Sequence, residues 1–333
     1  MSSLFRRAGA WPNVFMIVYT LGGWMLGVWL LTRPGILLNA AGVLLTAHAL
    51  VCSGYMIHEC AHQTVFARVA NNDRLGMLMG WLNGACVVNY QRLKMKHLRH
   101  HADRMDVVTF DYRAFLRRAP AWVRGTVLAL EWAYIPVVEL LMRVMVVVAP
   151  FHYGKVRDQV RTVGLVVVRL ALWTALALIS VKALLLYALA YLIFIQVLRF
   201  MDAFQHTYEV FPSQSLTPAP PDPRRTRKYE HDNTYSNLLA TRWPWLNLLV
   251  LNFPYHNAHH AKTGAPWYQL PALHRELFGA HEAQVIPCRA LIAGYHRHRV
   301  ARVLTEDYGT VAPQGERASG FVGAVGVSFL TAV

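Results

Sequence analysis

The chain has 333 residues, 55% of them hydrophobic and only 15% charged, a charged share about ten points below that of soluble domains. A soluble globular, disordered or low-complexity chain is therefore excluded. The 33 Lys and Arg outnumber the 18 Asp and Glu, for a net charge of +15. Such a surplus suits nucleic acid, acidic headgroups or acidic substrates, and the hydrophobicity favours a membrane surface. Cys52, Cys60, Cys86 and Cys288 lack paired spacing and read as reduced thiols, not a disulfide scaffold. The 16 His are the unusual count.

In chain order, Arg6 and Arg7 precede an apolar run that resembles a signal peptide but is too long and lacks a small-residue cleavage site. Crossing a bilayer core of about 30 Å takes roughly 20 apolar residues. Residues 13–31 and 36–57 qualify, joined by the breaker cluster Arg33, Pro34 and Gly35, and form a first expected hairpin. Residues 163–181 and 183–201, separated by Lys182, form a second. Arg169 sits early in the third span and is read either as snorkelling to an interface or as the mark of a slightly later helix start. Residues 75–90 and 243–253 are too short to cross. Residues 126–150 carry Glu131, Glu139 and Arg143 and are expected as an amphipathic interfacial helix.

Basic residues number two before the first span, one in the first turn, fifteen over 58–162, one in the third span, one in the second turn and thirteen from Arg199 onward. The positive-inside rule then places both termini and the central loop in the cytoplasm.

The histidines cluster beside these spans. His58-Glu59-Cys60-Ala61-His62 follows the second span with imidazoles at i and i+4, on one helical face. His97-Leu98-Arg99-His100-His101 and His256-Asn257-Ala258-His259-His260 each present positions i, i+3 and i+4 to one side, and two such runs are far more than chance supplies at this His frequency. Asp202 and His206, one helical turn apart, follow the fourth span. The topology puts all four groups in one compartment. Eight box imidazoles with His206 and Asp202 exceed what one metal can bind, so two ions are implied, with iron or zinc suiting the donors better than magnesium or calcium. The first box alone also satisfies His-Glu-x-x-His, the zinc-protease motif with Glu59 as base, but that reading leaves the six histidines of the other two boxes unexplained.

The three boxes, in this order and with two spans between the second and third, resemble those of the membrane fatty acid desaturase and hydroxylase superfamily over roughly residues 58–260 and the preceding hairpin. The resemblance implies an all-α integral membrane protein: four transmembrane helices in two hairpins, with a cytoplasmic helical cap (58–162 and 202–312) holding a histidine-rich di-iron site. Residues 1–312 are then one domain and 313–333 a tail of unknown role. It implies His58, His62, His97, His100, His101, His206, His256, His259 and His260 as iron ligands. Asp202, where relatives carry Asn, is a direct or water-bridged ligand. Glu59 and Gln205 are candidate catalytic residues beside the ligands.

The implied cofactors are two iron ions with dioxygen as co-substrate. The implied partners are a fatty acid or acyl-lipid substrate, membrane lipids and a separate electron donor of ferredoxin, rubredoxin or cytochrome b5 type, with no nucleic acid. A bacterial inner membrane is the expected location. Desaturation leads as the family's largest activity class, and hydroxylation and decarboxylation to a 1-alkene are alternatives on the same site. A membrane metal transporter or sensor is the non-enzyme alternative, but it would need polar ligands inside the spans, where only His48 and Arg169 occur.

The remaining features carry plainer readings. His48 reads as a hydrogen-bonded core group. His152, His231, His281, His296 and His298 read as surface, and His274 as a candidate neighbour of the metals. Arg224, Arg225, Arg227 and Lys228 read as a solvated or headgroup-facing run, with donor docking as the sharper alternative. Trp243, Trp245, Trp267 and Tyr268 read as interface anchors.

Overall fold

The computed structural model describes residues 4–5, 9–213, 218–279, 284–309, 311, 318 and 320–331. Arg6, Arg7, His281 and residues 313–317 lie outside these. The chain runs through α1 (Ala10–Thr32), α2 (Ile36–Ala61), α3 (Val69–Asn83), a 3-10 turn (Ala85–Val87), α4 (Tyr90–Asp103) and β1 (Asp106–Val108). It continues through α5 (Tyr112–Arg118), α6 (Ala121–Trp132), α7 (Val137–Tyr153), α8 (Val156–Ile179), α9 (Val181–Ala203) and β2 (Val210–Pro212). Then follow α10 (Arg227–Asp232), a 3-10 helix (Pro244–Val250), α11 (His256–Ala261), α12 (Leu270–Phe278), α13 (Cys288–Arg297) and α14 (Ala301–Leu304). The fold is helical apart from two three-residue strands. These residues form two compact units, one drawn from 1–91 and 143–197, the other from 92–142 and 198–332.

In the first unit, α1, α2 and α8, with the α9 segment it contains, supply the long apolar elements. All four helices are long and apolar enough to cross a membrane. They extend past the expected spans because charged turns continue the same helices: α8 starts at Val156, ahead of Arg157, Asp158 and Arg161, and α2 runs on through His58–Ala61. A methyl placed on Gly27 of α1 would stand 2.4 Å from Thr46 Oγ1 and 2.9 Å from its amide nitrogen. A bare backbone is thus needed where α1 meets α2, the small-residue contact usual between helices in lipid. The chain reverses at Gly35, with φ of 99°, and the Asn39 amide donates to the carbonyls of Leu30 and Arg33. The break between α8 and α9 falls at Ser180, not at Lys182, which lies in the first turn of α9 and donates to Arg33 O at 2.6 Å. Outward faces are apolar: Leu178 is 84% and Ile36 83% exposed, as lipid contact demands.

The third span does not start late: α8 begins at Val156, so Arg169 lies well inside it. The Arg169 guanidinium donates to Trp81 O and lies over the Trp173 ring, capping the end of α3, which stops at Gly84 with φ of 85°. His48 is hydrogen-bonded to the Tyr19 hydroxyl, as a core polar group should be.

The expected interfacial helix over 126–150 is instead α6 and α7, broken at 133–136 around Pro136, with Tyr134 at φ of 61°. Its two acids are buried. Glu131 is buried and paired with the equally buried Arg199 at 2.6 Å, and it accepts from Val138 N–H at 2.9 Å, capping α7. Glu139 accepts from Gly326 N–H at 2.7 Å. Trp243 and Trp245 are exposed, as anchors would be, whereas Trp267 is buried and its carbonyl accepts from Asn252, so it is a core residue. The basic run is matched by acids: Arg224 with Asp222, Arg227 with Glu230 and Lys228 with Asp232. All four cysteines are buried and none is in a disulfide.

Residues 320–331 are not a loose tail. Val322 N–H donates to Tyr308 O and Ala324 N–H to Ala203 O, and Ala324, Val325, Phe329, Leu330 and Thr331 are buried. Composition hides this, because the holding groups are backbone atoms far off in sequence.

Removing one partner of a buried ion pair strands the other charge, which costs about 3–5 kcal/mol. Glu131→Ala should therefore lower the thermal midpoint of the purified protein in detergent by several degrees, while exposed Lys228→Ala should leave it unchanged.

Candidate metal centre

The second and third boxes and the Asp202–His206 element lie in the second unit, and local structure explains why they meet. The second box is the last part of α4 and the third is nearly all of α11. Strands β1 and β2 pair in parallel, with Asp106 opposite Val210, so the segment after His101 is laced to the segment after His206. Tyr235 N–H donates to Gln205 O and Thr207 N–H to Asn233 O. Asn257, inside the third box, donates to Thr234 O at 2.7 Å and accepts from Ser236 Oγ at 2.7 Å. The amide therefore pins α11 to the strand-like stretch that holds His206.

Two groups of imidazoles result. His100, His206, His256 and His260 each offer a nitrogen within 4.8 Å of the others, and His97, His101 and His259 do the same. Between Nε2 atoms the separations are 2.7 Å for His206 and His256, 3.2 Å for His100 and His206, 3.2 Å for His97 and His101 and 3.1 Å for His101 and His259. Two nitrogens about 2.1 Å from a shared ion, at roughly a right angle, stand about 3 Å apart. The residues fit a metal. His260 Nε2 adds a buried nitrogen with no hydrogen-bond partner among the described residues. In the first unit, His58 and His62 hold their rings 4.7 Å apart at the end of α2.

Burial lowers His206 and His260 well below the usual imidazole range, and the neighbouring histidines push the same way: His100 and His256 on His206, and His206 foremost on His260. Both rings are therefore neutral at pH 7, the form that ligates.

The far nitrogens are held by groups that spacing does not reveal. His100 Nδ1 lies 2.9 Å from Met105 O and 3.2 Å from an Asp106 carboxylate oxygen. His260 Nδ1 lies 3.2 Å from Glu230 Oε1, while Arg104 and Arg227 donate to Glu230 Oε2 at 2.9 and 2.7 Å. Such contacts fix which ring nitrogen faces the centre. The only sequence signal for Asp106 is its nearness to the second box, and Glu230 gives none.

The other expected residues are placed as follows. Glu59 is buried, with Oε1 3.3 Å from His58 Nδ1 and Oε2 accepting from the Thr64 hydroxyl. Asp202, in the last turn of α9, and buried Gln205 line a cavity of about 40 Å³ beside His97, His100, His206 and His256, and Asp202 is in neither imidazole group. Gln205 Nε2 is buried without a hydrogen-bond partner among the described residues. His274 is buried against the rings of Tyr255 and Phe278, apart from both groups. Of the histidines read as surface, His152 and His296 are exposed and His231 and His298 half-buried.

The family model described as fatty acid desaturase matches residues 34–291 of the 333. That stretch contains all three boxes and the Asp202–His206 element. No curated protein matches the chain.

Loss of a carboxylate that orients a ligand typically weakens metal affinity by about 10–100-fold. Glu230→Gln should do so, as read by competition with a chromogenic chelator, and unchanged affinity would remove Glu230 from the site. In the metal-free protein the unfolded chain takes up protons near pH 6.5 where buried His206 and His260 do not, so stability should fall as pH drops through about 6.5. Melting curves of chelator-treated protein on either side of that pH check this.

Proposed function

This chain belongs to the fatty acid desaturase family, and on that premise we propose that it is an oxygen-dependent membrane desaturase that removes hydrogen from an unactivated fatty acyl chain at a di-iron site. The observation that carries the reading is the gathering of seven buried or half-buried imidazoles into two groups with ligand-like nitrogen separations, inside the matched stretch.

In this reading His97, His101 and His259 would hold one ion, and His58 and His62 would be iron ligands as well. The other ion is held by His100, His206, His256 and His260, with Asp202 as a direct or water-bridged ligand. When bound, the iron pair supplies the reduction of dioxygen and the oxidising power to break a C–H bond. The chain's own residues do the rest. Glu230 and Asp106 hold the Nδ1 sides of His260 and His100, so the Nε2 lone pairs face inward, and Glu59 does the same for His58. Gln205 donates through Nε2 to an oxygen atom entering the cavity, and Asp202 accepts a hydrogen bond or proton from one. The four apolar helices, paired as two hairpins, place the alkyl chain in the bilayer and the site at its cytoplasmic face. Electrons come from a separate carrier of ferredoxin, rubredoxin or cytochrome b5 type. Both termini are cytoplasmic, and the surplus of positive charge on that side supports this orientation.

Mass spectrometry of products, after supplying defined saturated fatty acids with a reductase system, tests the reaction: a loss of two hydrogens is expected. An added oxygen or a missing carboxyl carbon would reassign the site to hydroxylation or decarboxylation. His100→Ala and His259→Ala should each abolish turnover and lower the iron content, and full activity in either would refute the site.

A further inference from the structure

Resting on this reading, we propose that residues 320–331 form a built-in wall of the reaction pocket, with Phe329 as the residue that sets which part of an alkyl chain stands at the metal site. The segment lies beyond the stretch matched by the family model.

Three observations carry the proposal. The segment is held by specific bonds along its length. Beyond the Tyr308, Ala203 and Glu139 contacts, the buried Lys96 ammonium donates to Ser328 O at 2.9 Å and to Thr331 O. Burying an ammonium is costly unless acceptors receive it, and here the carbonyls of the segment do so. Lys96 is thus a latch, one residue before the ligand candidate His97. Next, the Phe329 ring packs 5.6 Å from the His97 ring, centroid to centroid, and is 8% exposed.

Last, Val327 and Phe329 are apolar lining of the cavity whose other walls include His100, Asp202 and Gln205. At about 40 Å³ that cavity holds only one or a few water-sized guests, since a water needs about 10–15 Å³ of such volume. With Phe329 seated, dioxygen fits beside the histidines, whereas an alkyl chain reaching the site must end against the apolar wall. A phenyl ring is well suited to such a wall, because it offers dispersion contact to methylene groups, excludes water and cannot ligate metal.

The test compares the unaltered full-length protein with Phe329→Ala and Phe329→Trp, each loaded with iron and given saturated fatty acids of graded length with a reductase system. The expected result is unchanged iron content, with the ratio of converted chain lengths, or of modified positions, shifted about tenfold and in opposite directions for the two variants. Product patterns matching the unaltered protein, with iron retained, overturn the proposal. A second readout does not depend on turnover. A photoreactive benzoylphenylalanine at position 329 should crosslink to a bound fatty acid on irradiation, whereas the same probe at exposed Trp122 should not. No adduct at 329 overturns the wall. Adduct formation in a protein that converts no fatty acid supports the wall and counts against the proposed reaction instead.

Discussion

Seven imidazoles brought together out of water can neither all be charged nor comfortably face one another's lone pairs. Protonating them would set like charges a few ångströms apart in a poorly solvated space, and burial already drives His206 and His260 toward the neutral form. Neutral rings with Nε2 atoms 2.7–3.2 Å apart are stabilised best by a cation between them, which turns mutual repulsion into ligation. The architecture around the site serves this one arrangement. Asp106 and Met105 O stand behind His100 and Glu230 behind His260, and Arg104 and Arg227 hold Glu230 in turn.

The scaffold delivers the ligands on short, tightly tied pieces. α11 has only six residues, too few to be stable as an isolated helix, and it is held through Asn257 to the Thr234–Ser236 backbone. β1 and β2 are three residues each, yet their pairing fixes the ends of α4 and α9 relative to one another. Charges that read as surface in sequence, such as Glu131 and Glu139, are used inside to cap α7 and to receive the C-terminal segment.

The sequence shows best what repeats or persists locally. Four long apolar runs mark the four long helices, and i, i+3, i+4 histidine spacing marks residues that must share a face. Helix ends are less legible: α8 begins a charged turn before its apolar run, and nothing in the pattern over 126–150 marks which way Glu131 faces until Arg199, 68 residues later, is seen beside it. Long-range polar contacts leave no trace at all. Glu230 gives no spacing signal, and the C-terminal residues look like featureless small and apolar chain, yet Lys96 reaches across 232 residues to bind Ser328. Trp267, expected as an interface anchor, is buried for the same reason. Composition says what interface a side chain would tolerate, while the carbonyl or core that claims it is set by tertiary structure.

The central claim, that the clustered histidines hold a pair of redox-active ions, is most directly tested by counting metal in the unaltered protein purified from cells given ample iron. About two iron ions per chain are expected, as suits an imidazole-rich donor set with carboxylates nearby. A single zinc ion per chain, or none of either metal, would contradict it.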